Sequence, residues 1–118
     1  MGYMRHHAIC ITSESHDAIT TAHIAAERIF HGTFARVTPV TEAGVNTHRS
    51  FFVAPDGSKE AWVDSDIADD RREEFIDWMD EHRLSDGSSL LDWVLVQYGD
   101  DEKDTRVRRH SDEVQVEE

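Results

Sequence analysis

The sequence has few of the features typical of secreted, membrane-spanning or nucleic-acid-binding proteins: several cysteines, a long apolar run, or an excess of basic residues. It contains one cysteine, Cys10, so no internal disulfide can form and a cytoplasmic location is expected. No apolar run approaches the ~20 residues that cross a bilayer, and no signal-peptide pattern opens the chain. Twelve lysines and arginines face twenty-five acids, and the net charge of −13 disfavours contact with nucleic acid or an anionic membrane.

This acidity is confined to one half of the chain. Residues 1–59 carry five acids and five bases, whereas residues 60–118 carry the other twenty acids against seven bases. The acidic half is expected to attract cations or basic protein surfaces, although a high net charge also serves solubility. The only lysines are Lys59 and Lys103 beside ten arginines, a bias typical of a GC-rich genome. Any anion-binding site is therefore expected in the neutral half.

Strands are predicted where apolar residues alternate, and helices where they recur every three or four positions. The 118 residues fit one domain. In chain order the patterns give a strand at 7–12, a helix at 16–30 with cap residues at 12–15, an edge strand at 34–40, a strand at 49–54 with a turn at 55–58, a returning strand at 59–63, a helix at 67–83 capped by Asp64 to Asp66, and a strand at 93–98.

This order predicts an α+β fold of the ferredoxin-like type, an antiparallel sheet of four to five strands with two helices on one face. Residues 1–99 form the domain, and residues 100–118 form an acidic, mobile tail. The first and third strands are then central, and Phe52 lies exposed on the open face among small residues. This face is expected to bind a ligand, to pair in a homodimer or to be covered by the tail.

The outer face of the second helix is the predicted protein-binding surface, because it carries a dense set of acids. These spaced carboxylates would bind a basic protein surface and could imitate the phosphates of a nucleic acid. The six residues are Asp69, Asp70, Glu73, Asp77, Asp80 and Glu81.

A ligand-binding alternative uses residues outside that helix. Arg36 and Arg49 would receive the phosphates of a small nucleotide, while Phe52 and Trp62 would stack on its base. Such a protein would act as a sponge for a nucleotide signal.

A metal-dependent hydrolase is the third functional hypothesis. His23, Glu27 and His31 share one line of the first helix, and the segment from Asp64 to Asp70 adds further oxygen ligands. The two histidines are too far apart on the helix to complete a tetrahedral site by themselves. We therefore predict no catalytic residue, no bound metal and no cofactor.

Three segments of the chain, His6 to Ser13, Arg49 to Trp62 and Leu91 to Asp101, resemble a group of small bacteriophage-encoded proteins. The resemblance covers most of residues 4–105 and carries no catalytic pattern. It implies a phage accessory protein that inhibits, or acts as a sponge for, a host defence component. The leading hypothesis is therefore a non-enzymatic inhibitor that docks a basic surface of a host protein in the host cytoplasm.

Overall fold

The fold is a five-stranded antiparallel sheet with two helices on one face. A computed structural model describes residues 5–59, 62–99 and 105–112. Its elements are β1 His6–Ser13, α1 His16–Ile29, β2 Thr41–Glu42, β3 Arg49–Val53, α2 Val63–Glu81, β4 Asp92–Tyr98 and β5 Arg106–His110. The strand order β2-β3-β1-β4-β5 is the predicted ferredoxin-like arrangement with β5 added beside β4.

The predicted alternation of the central strands is confirmed. Ile9 lies opposite Val53 and Ile11 lies opposite Phe51, and all four side chains are buried against the helices. Phe52, between two of them, is 39% exposed on the other face. The buried residues of both helices and the sheet form one core, so the described elements make a single domain.

Helix α1 begins where the cap chemistry predicts. The Ser15 hydroxyl oxygen accepts a hydrogen bond from the amide of Ala18, which satisfies one donor of the first turn. Ile19, Ala22 and Ile29 form its buried stripe.

Helix α2 begins four residues earlier than predicted, so Asp64 and Asp66 are not its cap. The N-cap is Trp62, whose side chain makes no cap hydrogen bond, and both aspartates lie in the first turn. There their negative charge stabilises the positive end of the helix dipole. The predicted returning strand at 59–63 is also wrong in its described part, because Val63 is already helical; Glu60 and Ala61 lie outside the described residues.

The predicted edge strand at 34–40 is not a regular strand. The Thr38 amide donates to the Phe52 carbonyl and the Arg36 carbonyl accepts from Ala54, so the chain pairs briefly with the end of β3. Pro39 then offers no donor, and regular pairing resumes only at β2.

The predicted mobile tail contains a strand instead. Residues Arg106 to His110 form β5, which pairs antiparallel with β4 through a bulge. The segment is polar because it is an edge strand, and one of its arginines, Arg109, contacts acids of α2. The rest of the proposed tail, 100–104 and 113–118, lies outside the described residues.

Phe75 is the side chain on which the core packing centres, and its truncation should be costly. It is fully buried, with the rings of Phe30, Phe51 and Trp78 at 6.0, 6.5 and 6.2 Å. We expect Phe75→Ala to lower the free energy of unfolding by about 3 to 5 kcal/mol, measured by urea denaturation. Phe34→Ala, at a side chain 59% exposed, is the control and should change it by less than about 0.5 kcal/mol. Equal losses in both variants would contradict the assigned core.

Candidate functional site

A buried arginine joins α2 to the turn after β3. The Arg72 side chain is 3% exposed and donates to Asp56, whose side chain is 8% exposed. Its other terminal nitrogen donates to Asp69 at 2.7 Å. The Arg72 Nε is buried and has no hydrogen-bond partner among the described residues. The guanidinium therefore fixes the turn against α2 while leaving one of its own donors unsatisfied.

The protonation of Asp56 depends on this contact. Burial alone would raise the pKa of Asp56, but the hydrogen bond from Ser58 and the hydrogen bond and charge of Arg72 outweigh it and lower the pKa below 3.8. The carboxyl group is therefore charged in the folded protein at neutral pH, and the buried pair is an ion pair.

A second polar contact lies at the same edge of the helix layer. The Arg108 guanidinium donates to Gln97 Oε1 at 2.7 Å, and Gln97 is fully buried. Since a guanidinium can only donate, this atom is the amide oxygen, and His7 Nε2 must then donate to it at 3.1 Å. The other ring nitrogen of His7 lies 4.0 Å from Asp69. The network thus ties β1, β4 and β5 to the first half of α2.

Two further arginines hold the second half of α2. Arg109 of β5 contacts Glu73 at 3.4 Å and Asp80 at 3.1 Å. Arg83 contacts Asp80 at 3.2 Å and donates to the Ser111 carbonyl at 2.8 Å. The row of acids that faces β5 is therefore neutralised by the protein itself.

The next row of acids on α2 has no such partners. Spacings of four, seven and four residues place its members within one narrow stripe of the helix surface. All are exposed and make no ion pair with a described residue. We call this stripe the acidic crest; it consists of Asp66, Asp70, Asp77 and Glu81.

The crest divides the six predicted protein-binding acids into two groups. Asp70, Asp77 and Glu81 belong to it, whereas Asp69, Glu73 and Asp80 are held by arginines. Asp66 was missed because it was interpreted as a cap. The i, i+4, i+11 and i+15 spacing was the available signal, but it depends on where the helix begins.

The four predicted ligand-binding residues do not converge on one site. Arg36 lies beside the end of β3, while Arg49 begins that strand about 17 Å away and pairs with Glu42 at 3.0 Å. Phe52 is on the open sheet face, and Trp62 is the N-cap of α2 with Lys59 Nζ 5.8 Å from its ring. The described residues therefore assemble no nucleotide pocket from this set.

The candidate metal ligands on α1 are engaged with the protein. His23 Nε2 contacts the Thr38 carbonyl at 2.9 Å, and His23 Nδ1 contacts Glu27 at 3.2 Å. Both nitrogens of the His23 ring therefore lie next to oxygen atoms of the protein, while His31, beyond the end of α1, is exposed. Within residues 5–59, 62–99 and 105–112, no group of three potential metal ligands is close enough to hold an ion.

One cavity with both apolar and polar walls lies beside the last turns of α2, and no crest residue lines it. It has a volume of about 380 Å³ and lies between the start of α1 and the end of α2. Trp78 stacks with His82 at a ring separation of 3.9 Å on one wall, the exposed Leu90 forms another, and Asp17 contributes a carboxylate. A larger cleft of about 640 Å³ around Arg83 is lined by acids and hydroxyls, and that arginine is already bonded to Asp80 and Ser111.

The chain matches no protein-family model, no curated protein and no solved structure. None of the helices in the described segments is both long enough and apolar enough to span a bilayer.

Removing the buried guanidinium should destabilise the fold strongly. Arg72→Met leaves the Asp56 carboxylate buried without its charge partner, so we expect a loss of about 3 to 5 kcal/mol in the free energy of unfolding. Its neighbour provides the control: Arg71 is 44% exposed and pairs only with Glu74, so Arg71→Met should cost less than about 1 kcal/mol. Urea denaturation measures both. Similar losses would show that the buried pair has no special role.

The same pair predicts a pH dependence of stability. The pKa of Asp56 is lower in the folded protein than in the unfolded chain, where it lies near 3.8. Its contribution to the free energy of unfolding is therefore complete above the unfolded-state pKa and is lost as the pH falls through the folded-state pKa. The difference in unfolding free energy between the wild type and Asp56→Asn should be constant from about pH 7 to 5 and shrink below about pH 4. A difference that stays constant down to about pH 2.5 would contradict the assignment.

Proposed function

We propose that this protein is a non-enzymatic binding domain that docks a basic surface of a protein partner through the acidic crest of α2. The observation that carries the proposal is a difference between two adjacent rows of acids on α2: one row is paired with arginines and the other is not. Arginines of the protein neutralise Asp69, Glu73 and Asp80, while the crest beside them makes no ion pair with any residue in 5–59, 62–99 or 105–112. Charges in such a row attract a partner of opposite sign and set its orientation.

The buried network supports this role because it holds the crest in place before binding. Arg72 fixes the first half of α2 to the turn after β3, and Arg109 fixes the second half to β5. A helix that is already rigid loses little conformational entropy when a partner docks, so more of the contact energy appears as affinity.

The cavity beside the last turns of α2, which is lined by Trp78 and Leu90 and not by crest acids, would supply an anchor for the same partner. An arginine or lysine of the partner can place its apolar stem against Trp78 and Leu90 and direct its charge toward Asp17. Binding energy in protein interfaces concentrates at such buried anchors, while exposed charges contribute mainly to association rate and specificity.

The sequence resemblance supplies the context of the proposal. A small phage accessory protein in the host cytoplasm would use the crest against a host protein, and a partner surface that normally binds nucleic acid would be the natural basic target. On this reading the crest carboxylates take the place of phosphates. Competition between duplex DNA and the chain for the captured partner would test the imitation.

Neutralising two crest acids should weaken the docking. The chain is immobilised through Cys10, which lies on the sheet face away from α2. It is then exposed to a host lysate at about 50 mM salt. The affinity of the retained protein for the wild type and for each variant is measured by titration. We expect Asp70→Asn/Asp77→Asn to reduce its affinity about tenfold or more, because two interfacial charges are lost. Leu90→Lys should reduce it as well, since it places a positive charge in the anchor cavity.

The matched control removes two charges elsewhere. Glu14→Gln/Glu42→Gln has the same net charge as the crest variant, and both side chains are exposed outside α2. It should retain the partner nearly at wild-type affinity, and all retention should fall steeply toward about 500 mM salt. If the affinity of the retained protein is the same at low and high salt, and the same for the wild type and the crest variant, the proposal is overturned.

A further inference from the structure

The sheet face opposite the helices is a second surface, and it differs from the crest in chemistry. The strand register places Cys10 beside Phe52 and Val94; Val96 lies farther along β4, beside Ala8, which is itself only 4% exposed. Val107 continues this apolar area onto β5 and is 53% exposed, and Tyr98 at its end is 39% exposed. No described segment of the chain packs over this face, since both helices lie on the other side.

The charge distribution indicates what can cover the face. Its only carboxylate among the described residues of the four long strands is Asp92, at one end, although the chain as a whole carries a charge of −13. The acids of α2 lie on the opposite layer of the molecule. Two copies that meet through their open faces therefore bring surfaces with few acids into contact and direct both acidic crests outward, where their repulsion is weakest.

The size of the face is compatible with such a contact. The four strands contain 25 residues, and at about 3.3 Å per residue and 4.8 Å between strands they give an outline of about 400 Å² before the relief of the side chains is counted. Chance contacts bury less than about 400 Å² per partner, and standard interfaces bury about 800 Å².

We propose that the open sheet face, centred on Cys10 and Phe52, is the interface of a homodimer. The partner is a second copy of this chain, packed sheet against sheet at about 10 Å. The inference is independent of the proposed function, because it uses neither α2 nor a basic partner.

Sedimentation equilibrium and the labelling of Cys10 test this interface together. We expect a mass of twice 13.5 kDa at about 100 µM chain and about 0.3 M salt. The rate at which a maleimide reacts with Cys10 should fall several-fold as the chain concentration rises, because dimer contact covers the thiol. Labelling is run at about pH 8.5, since desolvation raises the pKa of that thiol.

Two phenylalanine variants locate the contact. Phe52→Glu places a charge in the proposed interface, so it should give a monomer and a labelling rate that does not depend on concentration. Phe34→Glu adds the same charge at a side chain 59% exposed outside the face and should leave the dimer intact. Val107→Lys, at the rim, gives a second face variant if Phe52→Glu unfolds. A wild-type monomer at every concentration, or a dimer that survives both face variants, overturns the proposal.

The salt response separates this contact from partner docking. Salt screens the repulsion between two chains of charge −13, so dimer affinity should rise with ionic strength, whereas capture by the crest should fall. Asp70→Asn/Asp77→Asn should also leave the dimer intact or strengthen it. A dimer that dissociates on adding salt would show that charge pairs hold it, which contradicts an interface on this face.

Discussion

The buried ion pair between Arg72 and Asp56 is the constraint on which the arrangement of the helix layer depends. It places a charged group among the inward-facing residues of α2, where only a compensating charge makes burial tolerable. Because the partner sits in the turn after β3, the pair fixes the rotation of α2 about its own axis. That rotation directs Phe75 and Met79 into the core and leaves the acidic crest facing solvent.

The charge asymmetry of the chain becomes a difference between two layers once α2 is fixed. In the sequence it separates a neutral first half from an acidic second half, yet β4 and β5 come from the acidic half and complete an almost uncharged sheet face. The unpaired acids lie on the far side of the helix layer. The molecule therefore presents two surfaces of opposite character, so the two proposed contacts would respond oppositely to ionic strength.

The sequence predicted those parts of the fold in which local pattern and tertiary environment agree. The alternation of Ile9, Ile11, Phe51 and Val53, the Ser15 cap and the strand order all followed from spacing and chain order. Arg72 could not be placed, because a charged residue in an acidic helix looks exposed until its buried partner is known. β5 was missed for a similar reason, since Arg109 is paired with α2 and Arg108 with Gln97 of β4, and neither partner is a neighbour in sequence. Three of the four crest acids were in the predicted set, but which acids of α2 are neutralised depends in part on Arg109, which is distant in the sequence.

The preference for arginine over lysine has a structural reason as well as a compositional one. Arg72 binds two carboxylates at once, Arg109 bridges Glu73 and Asp80, and Arg83 joins Asp80 to the carbonyl groups of Gly87 and Ser111. Each contact uses separate nitrogens of a planar fork, a geometry that a lysine ammonium on a flexible stem does not provide. A lysine at any of these positions would preserve the charge but could not reproduce all of the bonds. Since these are the bonds that join the turn, β5 and the loop after α2 to the helix, the rigidity of the crest depends on guanidinium geometry and not on positive charge alone.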